Sequence, residues 1–139
     1  MLHLTKTAVQ CAHVSELETR NRGREAEYEG ASAVPIYTRY RPKRFEELVG
    51  GSLFWIVAHR LTVRQEILGF DEATTEKGKM CRIWLSAAMV PVIPRRKRAH
   101  QGWRYLTDRT RPADMVSGAT DLGDMPQHMV RELASLGLI

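Results

Sequence analysis

Hydrophobic and polar residues follow one another along the chain in a pattern that predicts a domain built mainly from short strands. Residues 52–58 are apolar, aromatic and β-branched, which predicts a strand buried on both faces. Residues 61–70 alternate apolar and polar positions and fit a strand, although part of this segment would also suit a helix. Further extended segments are expected at residues 2–8, 34–40, 80–85, 89–94 and 103–106.

Helices are expected near both ends of the chain. Ser15 and Glu18 have the spacing of a capping box, which predicts a helix from Ser15 to about residue 28. Pro126 lies in the first turn of a second predicted helix, over residues 126–136. We therefore predict one α+β domain over residues 1–139. Its core is a compact mixed sheet of five to six short strands, curved or partly closed, with a helix near each end.

Length and composition narrow the class of protein. The 139 residues are 43% hydrophobic and 27% charged, which suits a single soluble domain with one packed core. The longest apolar runs are far shorter than the roughly 18 residues of a membrane span, and the first residues lack a signal-peptide pattern. We therefore expect a cytoplasmic protein without membrane contact, in which Cys11 and Cys81 are free thiols. The sequence indicates no oligomeric state.

Positive charge is concentrated in one segment. The chain has 21 basic and 16 acidic residues, a net charge of +5. Residues 91–112 contain seven basic residues and one acidic residue (7 − 1 = +6), so the remaining residues carry 14 − 15 = −1. A second, smaller basic cluster lies at residues 39–44. Clustered charge of one sign attracts polyanions, whereas evenly spread charge mainly keeps a protein soluble.

The leading hypothesis from these clusters is binding of nucleic acid, with RNA favoured, or of another polyanion. The basic side chains would contact phosphates, and Trp103 or Tyr105 would stack on a base. The alternative for the same segment is a solvated loop with structural aromatic residues. The candidate nucleic-acid contacts are Arg95, Arg96, Lys97, Arg98, Trp103, Arg104, Arg41, Lys43 and Arg44.

Two other classes of function remain open at the level of sequence. One is a small enzyme acting on an anionic substrate, and the other is an accessory subunit that docks on an acidic partner. Motifs of hydrolases and of phosphate-binding loops are absent, so no catalytic residue is assigned. Cys11 and His13 form the only close pair of metal-ligand type, so neither a metal nor another cofactor is predicted. The candidate pocket of the enzyme hypothesis lies beside Trp55 or Trp103. The residues that would line it are Arg64, Gln65, Gln101, Arg104 and Tyr105.

Several strings carry a resemblance to a known family. They are Gly-Gly-Ser-Leu-Phe-Trp at residues 50–55, Arg-Gln-Glu-Ile at 64–67, Cys-Arg-Ile-Trp-Leu at 81–85 and Gln-Gly-Trp-Arg-Tyr-Leu at 101–106. Together they resemble an uncharacterised alphaproteobacterial family known only as a domain of unknown function, over nearly the full chain. The chain departs from that pattern at residues 58–60 and 99–100. The resemblance implies no activity.

A looser likeness concerns the fold alone. Size, a strand-rich centre and basic strand ends make the chain similar to small sheet-based RNA-binding modules of the PUA and ASCH type. A likeness of fold does not by itself imply a function.

Overall fold

The computed structural model describes residues 1–115. These residues form a mixed α+β fold in which eight strands make a single open sheet, accompanied by two short helices. In chain order the elements are β1 (Leu2–Thr7), α1 (Val14–Arg22), β2 (Ala26–Tyr28), β3 (Ala31–Thr38), α2 (Phe45–Leu48), β4 (Ser52–Val57), β5 (Arg60–Thr75), β6 (Gly78–Ser86), β7 (Val90–Arg96) and β8 (Trp103–Thr107).

The sheet is organised around the long strand β5. The strand order is β2-β3-β6-β5-β4-β1-β8, with β7 paired to β5 outside this path. β1 and β4 run parallel, and every other described pair is antiparallel. The first part of β5 pairs with β4 and β7, and its second part pairs with β6. Because β5 has 16 residues, its two ends position quite different surfaces of the molecule.

The core lies on both faces of β4, as the sequence predicted. Leu53, Trp55 and Val57 belong to the main hydrophobic cluster, and Trp55 is only 4% exposed. Phe54 and Ile56 point to the other face. There they form a second cluster with Leu61, Val92 and Leu106. This two-sided burial holds the centre of the sheet rigid and leaves strand ends and turns for other roles.

The predicted number of strands is wrong, and of the two predicted forms of the sheet, curved or partly closed, the partly closed one is wrong. Residues 1–115 contain eight strands rather than five to six, and β2 and β8 end the sheet without pairing to each other. β2 was expected to be helical, but α1 ends at Arg22 and the chain turns at Gly23. Tyr28 at the end of β2 stacks on Trp84, with 5.2 Å between ring centroids. This contact with a residue distant in sequence favours a strand at residues 26–28 over the predicted helix.

The helix predictions are met in part. α1 lies where the first helix was expected, but His13 is its N-cap residue and its side chain accepts no capping hydrogen bond, so the predicted capping box is wrong. The second predicted helix, at residues 126–136, lies outside the described residues. Neither helix of the described part is long and apolar enough to cross a membrane. Cys11 and Cys81 are both free.

Candidate nucleic-acid interface

One end of the sheet collects basic side chains from two distant segments. β7 runs antiparallel to the start of β5, with Arg96 opposite Arg60 and Arg95 opposite Leu61. Beyond the strand, the Lys97 amide donates a hydrogen bond to the His59 carbonyl at 2.9 Å. This pairing brings the turn between β4 and β5 against the end of β7. We define the basic rim as the side chains of His59, Arg60, Arg95, Arg96, Lys97 and Arg98.

The charges of the basic rim are not neutralised within the described residues. In residues 1–115, no carboxylate oxygen lies within 4.0 Å of a rim cation. Arg95 donates to the Thr110 carbonyl, and Arg60 to the Ala58 carbonyl at 3.3 Å. A cavity of about 480 Å³ lies between His59, Arg96 and Arg98. Like charges crowded around open space create a local positive potential that attracts anions.

Further positive charge adjoins the rim at His100. The His100 ring hydrogen-bonds to the Thr5 hydroxyl at 2.9 Å, which fixes its position. Burial lowers the pKa of His100, and the positive charges of Arg104, Lys97 and Lys6 lower it further. Arg104 lies on β8 opposite Thr5, whose hydroxyl holds the His100 ring, so positive charge continues from the basic rim onto β8.

The second basic cluster lies apart and is partly neutralised. The Arg44 guanidinium forms two hydrogen bonds with the Glu47 carboxylate, at 2.6 and 2.7 Å. The Arg41 guanidinium covers the Phe45 ring at 3.9 Å, and Lys43 is exposed. This cluster therefore offers less free charge than the basic rim. The neutralising residue lies three positions from Arg44, so the sequence itself contained the signal.

Trp103 and Tyr105 lie on β8 and contact the second basic cluster, where Trp103 Nε1 donates a hydrogen bond to the Tyr40 carbonyl at 3.4 Å. Trp103 is half-buried, packs against the main core and lies opposite Lys6 in the pairing with β1. Its ring contacts Tyr105 edge to face, with centroids 5.0 Å apart, and the Tyr105 hydroxyl accepts a bond from the Arg44 amide. Trp103 thus has a structural role, and only its exposed part is left for stacking on a base.

The residues of the candidate enzyme pocket are not brought together. The Arg64 guanidinium binds the Asp114 carboxylate at 2.6 and 2.7 Å. Gln65 follows it on β5 and its side chain is fully buried, with contacts inside the main core. Tyr105 contacts Arg44, whereas Gln101 is exposed in the segment before β8. Gln65 therefore cannot contact a substrate that arrives from solvent.

Sequence reasoning missed a pair beside Ser52, formed by the buried His3 and the exposed Asp108. His3 is 3% exposed, and its Nδ1 accepts a hydrogen bond from the Ser52 amide at 2.9 Å. Its Nε2 therefore carries the proton and donates to the Asp108 carboxylate at 2.5 Å. The Ser52 hydroxyl is engaged by Arg64 at 3.0 Å. Both imidazole nitrogens are used in joining β1, β4 and the segment after β8, so the pair stabilises the fold.

Protonation of His3 should make the protein less stable in mild acid. Burial lowers the pKa of His3 below its ordinary value, an effect only partly offset by Asp108. The contribution of neutral His3 to the stability of the fold is therefore complete above the ordinary histidine pKa of about 6.5. It is lost as the pH falls through the lower pKa of His3 in the folded protein. Urea unfolding should show the free energy of unfolding falling with pH, by at most about 1.4 kcal/mol per pH unit for this one proton.

The variant His3→Gln isolates this contribution, because His100 titrates in the same direction. The pH dependence should be shallower in His3→Gln than in the wild type. His13→Gln, at an exposed position, serves as the control and should keep the wild-type pH dependence. If the free energy of unfolding of His3→Gln changes with pH as steeply as that of the wild type, the Ser52 contact does not depend on the neutral ring of His3.

Fold and site together define a small α+β protein with an open mixed sheet and an un-neutralised basic rim at one end of its longest strand. Within the described part of the chain, no group of three or more His, Cys, Asp or Glu side chains is placed to hold a metal ion. Residues 4–139 match the family described as "Protein of unknown function (DUF1489)", and the chain belongs to this family. The predicted membership of a family of unknown function is thereby confirmed. No curated protein and no solved structure matches the chain, so the PUA and ASCH likeness stays a prediction.

Proposed function

We propose that the protein binds nucleic acid, with RNA favoured, through the basic rim. The observation that carries the proposal is the cavity between His59, Arg96 and Arg98, around which no carboxylate of residues 1–115 neutralises the cations. Crowded guanidinium groups repel one another, and a phosphate between them removes that repulsion while its counterions are released.

RNA is favoured because a partly exposed aromatic ring on β8 lies beside the cation Lys6. Trp103 lies opposite Lys6 in the β1–β8 pair, and the next residue, Arg104, lies opposite Thr5, which holds His100. Single-stranded RNA is typically bound by such a combination, in which cations contact phosphates and aromatic rings stack on unpaired bases.

The number of phosphates that the rim contacts can be counted from the salt dependence of binding. Affinity for a fluorescent single-stranded RNA oligonucleotide should be measured by anisotropy over a range of salt concentrations. Each phosphate contact contributes about −0.7 to the slope of log K against log salt. Replacing Arg96 and Arg98 by glutamine should therefore flatten the slope by about 1.4 and weaken binding to all sequences similarly.

The matched control changes the same charge at the other end of β5. Lys77 and Lys79 lie at the β5–β6 hairpin, whereas the basic rim lies where β5 begins. The pair Lys77→Gln and Lys79→Gln should leave the slope unchanged. The proposal is wrong if the wild type retains no RNA or DNA at low salt, or if Arg96→Gln with Arg98→Gln leaves the slope unaltered. The rim would then be a solvated surface or a docking patch for an acidic protein.

A further inference from the structure

A second cavity, of about 420 Å³, meets the cationic cavity at His59. Its volume falls in the range of about 300–1,000 Å³ that is usual for small-molecule sites. Ala8 and Ile56 are buried at this cavity. The small exposed side chains around it are those of Ala12, Ala58 and Ala99. An apolar space with small walls thus opens directly beside a cluster of cations.

The backbone around this cavity is strained. Gln10, Ala58 and His59 have φ values of 65°, 50° and 59°. They are three of the four non-glycine residues with positive φ in residues 1–115, and all three line the cavity. Ala58 and His59 form the two-residue turn between β4 and β5, a position where glycine and asparagine are preferred. Strained backbone of this kind is concentrated at binding and catalytic sites.

Polar groups with unused hydrogen-bonding capacity stand at the edge of the cavity. Thr7 is occupied, because its hydroxyl bonds to the His100 carbonyl at 3.0 Å. The side chains of Gln10 and His59 make no hydrogen bond to protein within residues 1–115. An amide presents both donors and acceptors, as the edge of a nucleobase does, and an imidazole can stack on a base or hydrogen-bond to it.

We propose that the two cavities together bind one unpaired nucleotide of a single strand. The base enters the cavity lined by alanines, with Gln10 on its edge, and the phosphate lies between Arg96 and Arg98. This inference rests on the proposed function and specifies its substrate class as nucleic acid with unpaired bases. A paired base is not available to such a cavity unless it is first taken out of the stack, which costs free energy.

Filling the alanine-lined cavity tests this proposal without touching the cations. Ala99 is exposed and lines the apolar cavity but not the cationic one. Ala99→Phe should therefore obstruct the base and leave the cations in place. Affinity should be measured for a single-stranded RNA of mixed sequence and for the duplex formed with its complement. We expect the wild type to prefer the single strand and Ala99→Phe to weaken single-strand binding roughly tenfold, as for one lost base contact. Binding of the duplex should be unchanged.

The control is Ala88→Phe, the same substitution at an exposed alanine between β6 and β7, which should bind both RNAs like the wild type. Single-stranded DNA of the same sequence should respond to Ala99→Phe in the same direction, because base and phosphate are common to both. If wild type binds single strand and duplex equally and Ala99→Phe changes neither, this inference fails and the proposed function stands. If wild type binds neither, both fail.

Discussion

Replacing Gln65 by leucine should destabilise the protein by about 4 kcal/mol, although the two side chains are similar in size. Gln65 is fully buried, and its Oε1 accepts hydrogen bonds from Trp55 Nε1 at 2.8 Å and from Asn21 Nδ2 at 3.1 Å. Its Nε2 donates to the Ser86 carbonyl at 2.8 Å. Leucine removes all three bonds: Trp55 Nε1 loses its partner, Asn21 Nδ2 keeps only a weak contact with Met89 Sδ at 3.8 Å, and the half-buried Ser86 carbonyl loses the Gln65 donor. Each buried group left unpaired costs about 1–3 kcal/mol.

The free energy of unfolding from urea titrations measures this effect. Glu66→Gln, at the exposed neighbouring position, is the control and should change stability by less than about 0.5 kcal/mol. A loss below about 1 kcal/mol for Gln65→Leu would show that water or a rearranged side chain satisfies the three groups.

The sequence predicted most of the central strands because their signals are local. The apolar run that became β4 and the alternation that became β5 are each set by nearby residues. The three-residue strand β2 has no such signal, since its stability depends on stacking of Tyr28 on Trp84, more than fifty positions away. β7 contains Pro91 and Pro94, which indicated extended chain without showing its partners. The strand pairs with β5 along one side, and on its other side Val92 forms a single bridge with Asp114.

The candidate site was predictable in its charge and not in its geometry. The run of four cations at residues 95–98 is visible in the sequence, but its neighbours His59 and Arg60 become part of the basic rim only through the pairing of β7 with β5. The burial of Gln65 had a signal, because it alternates with Val63 and Ile67 on the apolar side of β5. Its hydrogen-bond partners come from three other elements or loops, and such contacts follow only from the assembled fold.

Gly51→Ala should destabilise the protein by about 3 kcal/mol or more, because a side chain at this position has no room. A Cβ on Gly51 would lie 2.0 Å from the Leu2 carbonyl oxygen and 3.0 Å from that of Leu48. Both obstacles are backbone atoms, the first in β1 and the second at the end of α2, so neither can rotate away. The Gly51 carbonyl also accepts a bond from the Ile67 amide at 2.8 Å, which holds this residue close to β5.

The matched control is Gly23→Ala, at the end of α1. Gly23 has a helical φ of −69°, and a Cβ there would meet its nearest atom, the Arg20 carbonyl oxygen, at an ordinary 3.5 Å. Alanine also restricts the unfolded chain, so Gly23→Ala should leave stability unchanged or raise it by about 0.4–1 kcal/mol. Thermal or urea unfolding of both variants gives the comparison. Equal stability of the two would mean that β1 moves away from Gly51 without cost. Such movement would contradict the close packing of β1 against β4, because Leu2 and Leu4 on β1 are both buried in the main core.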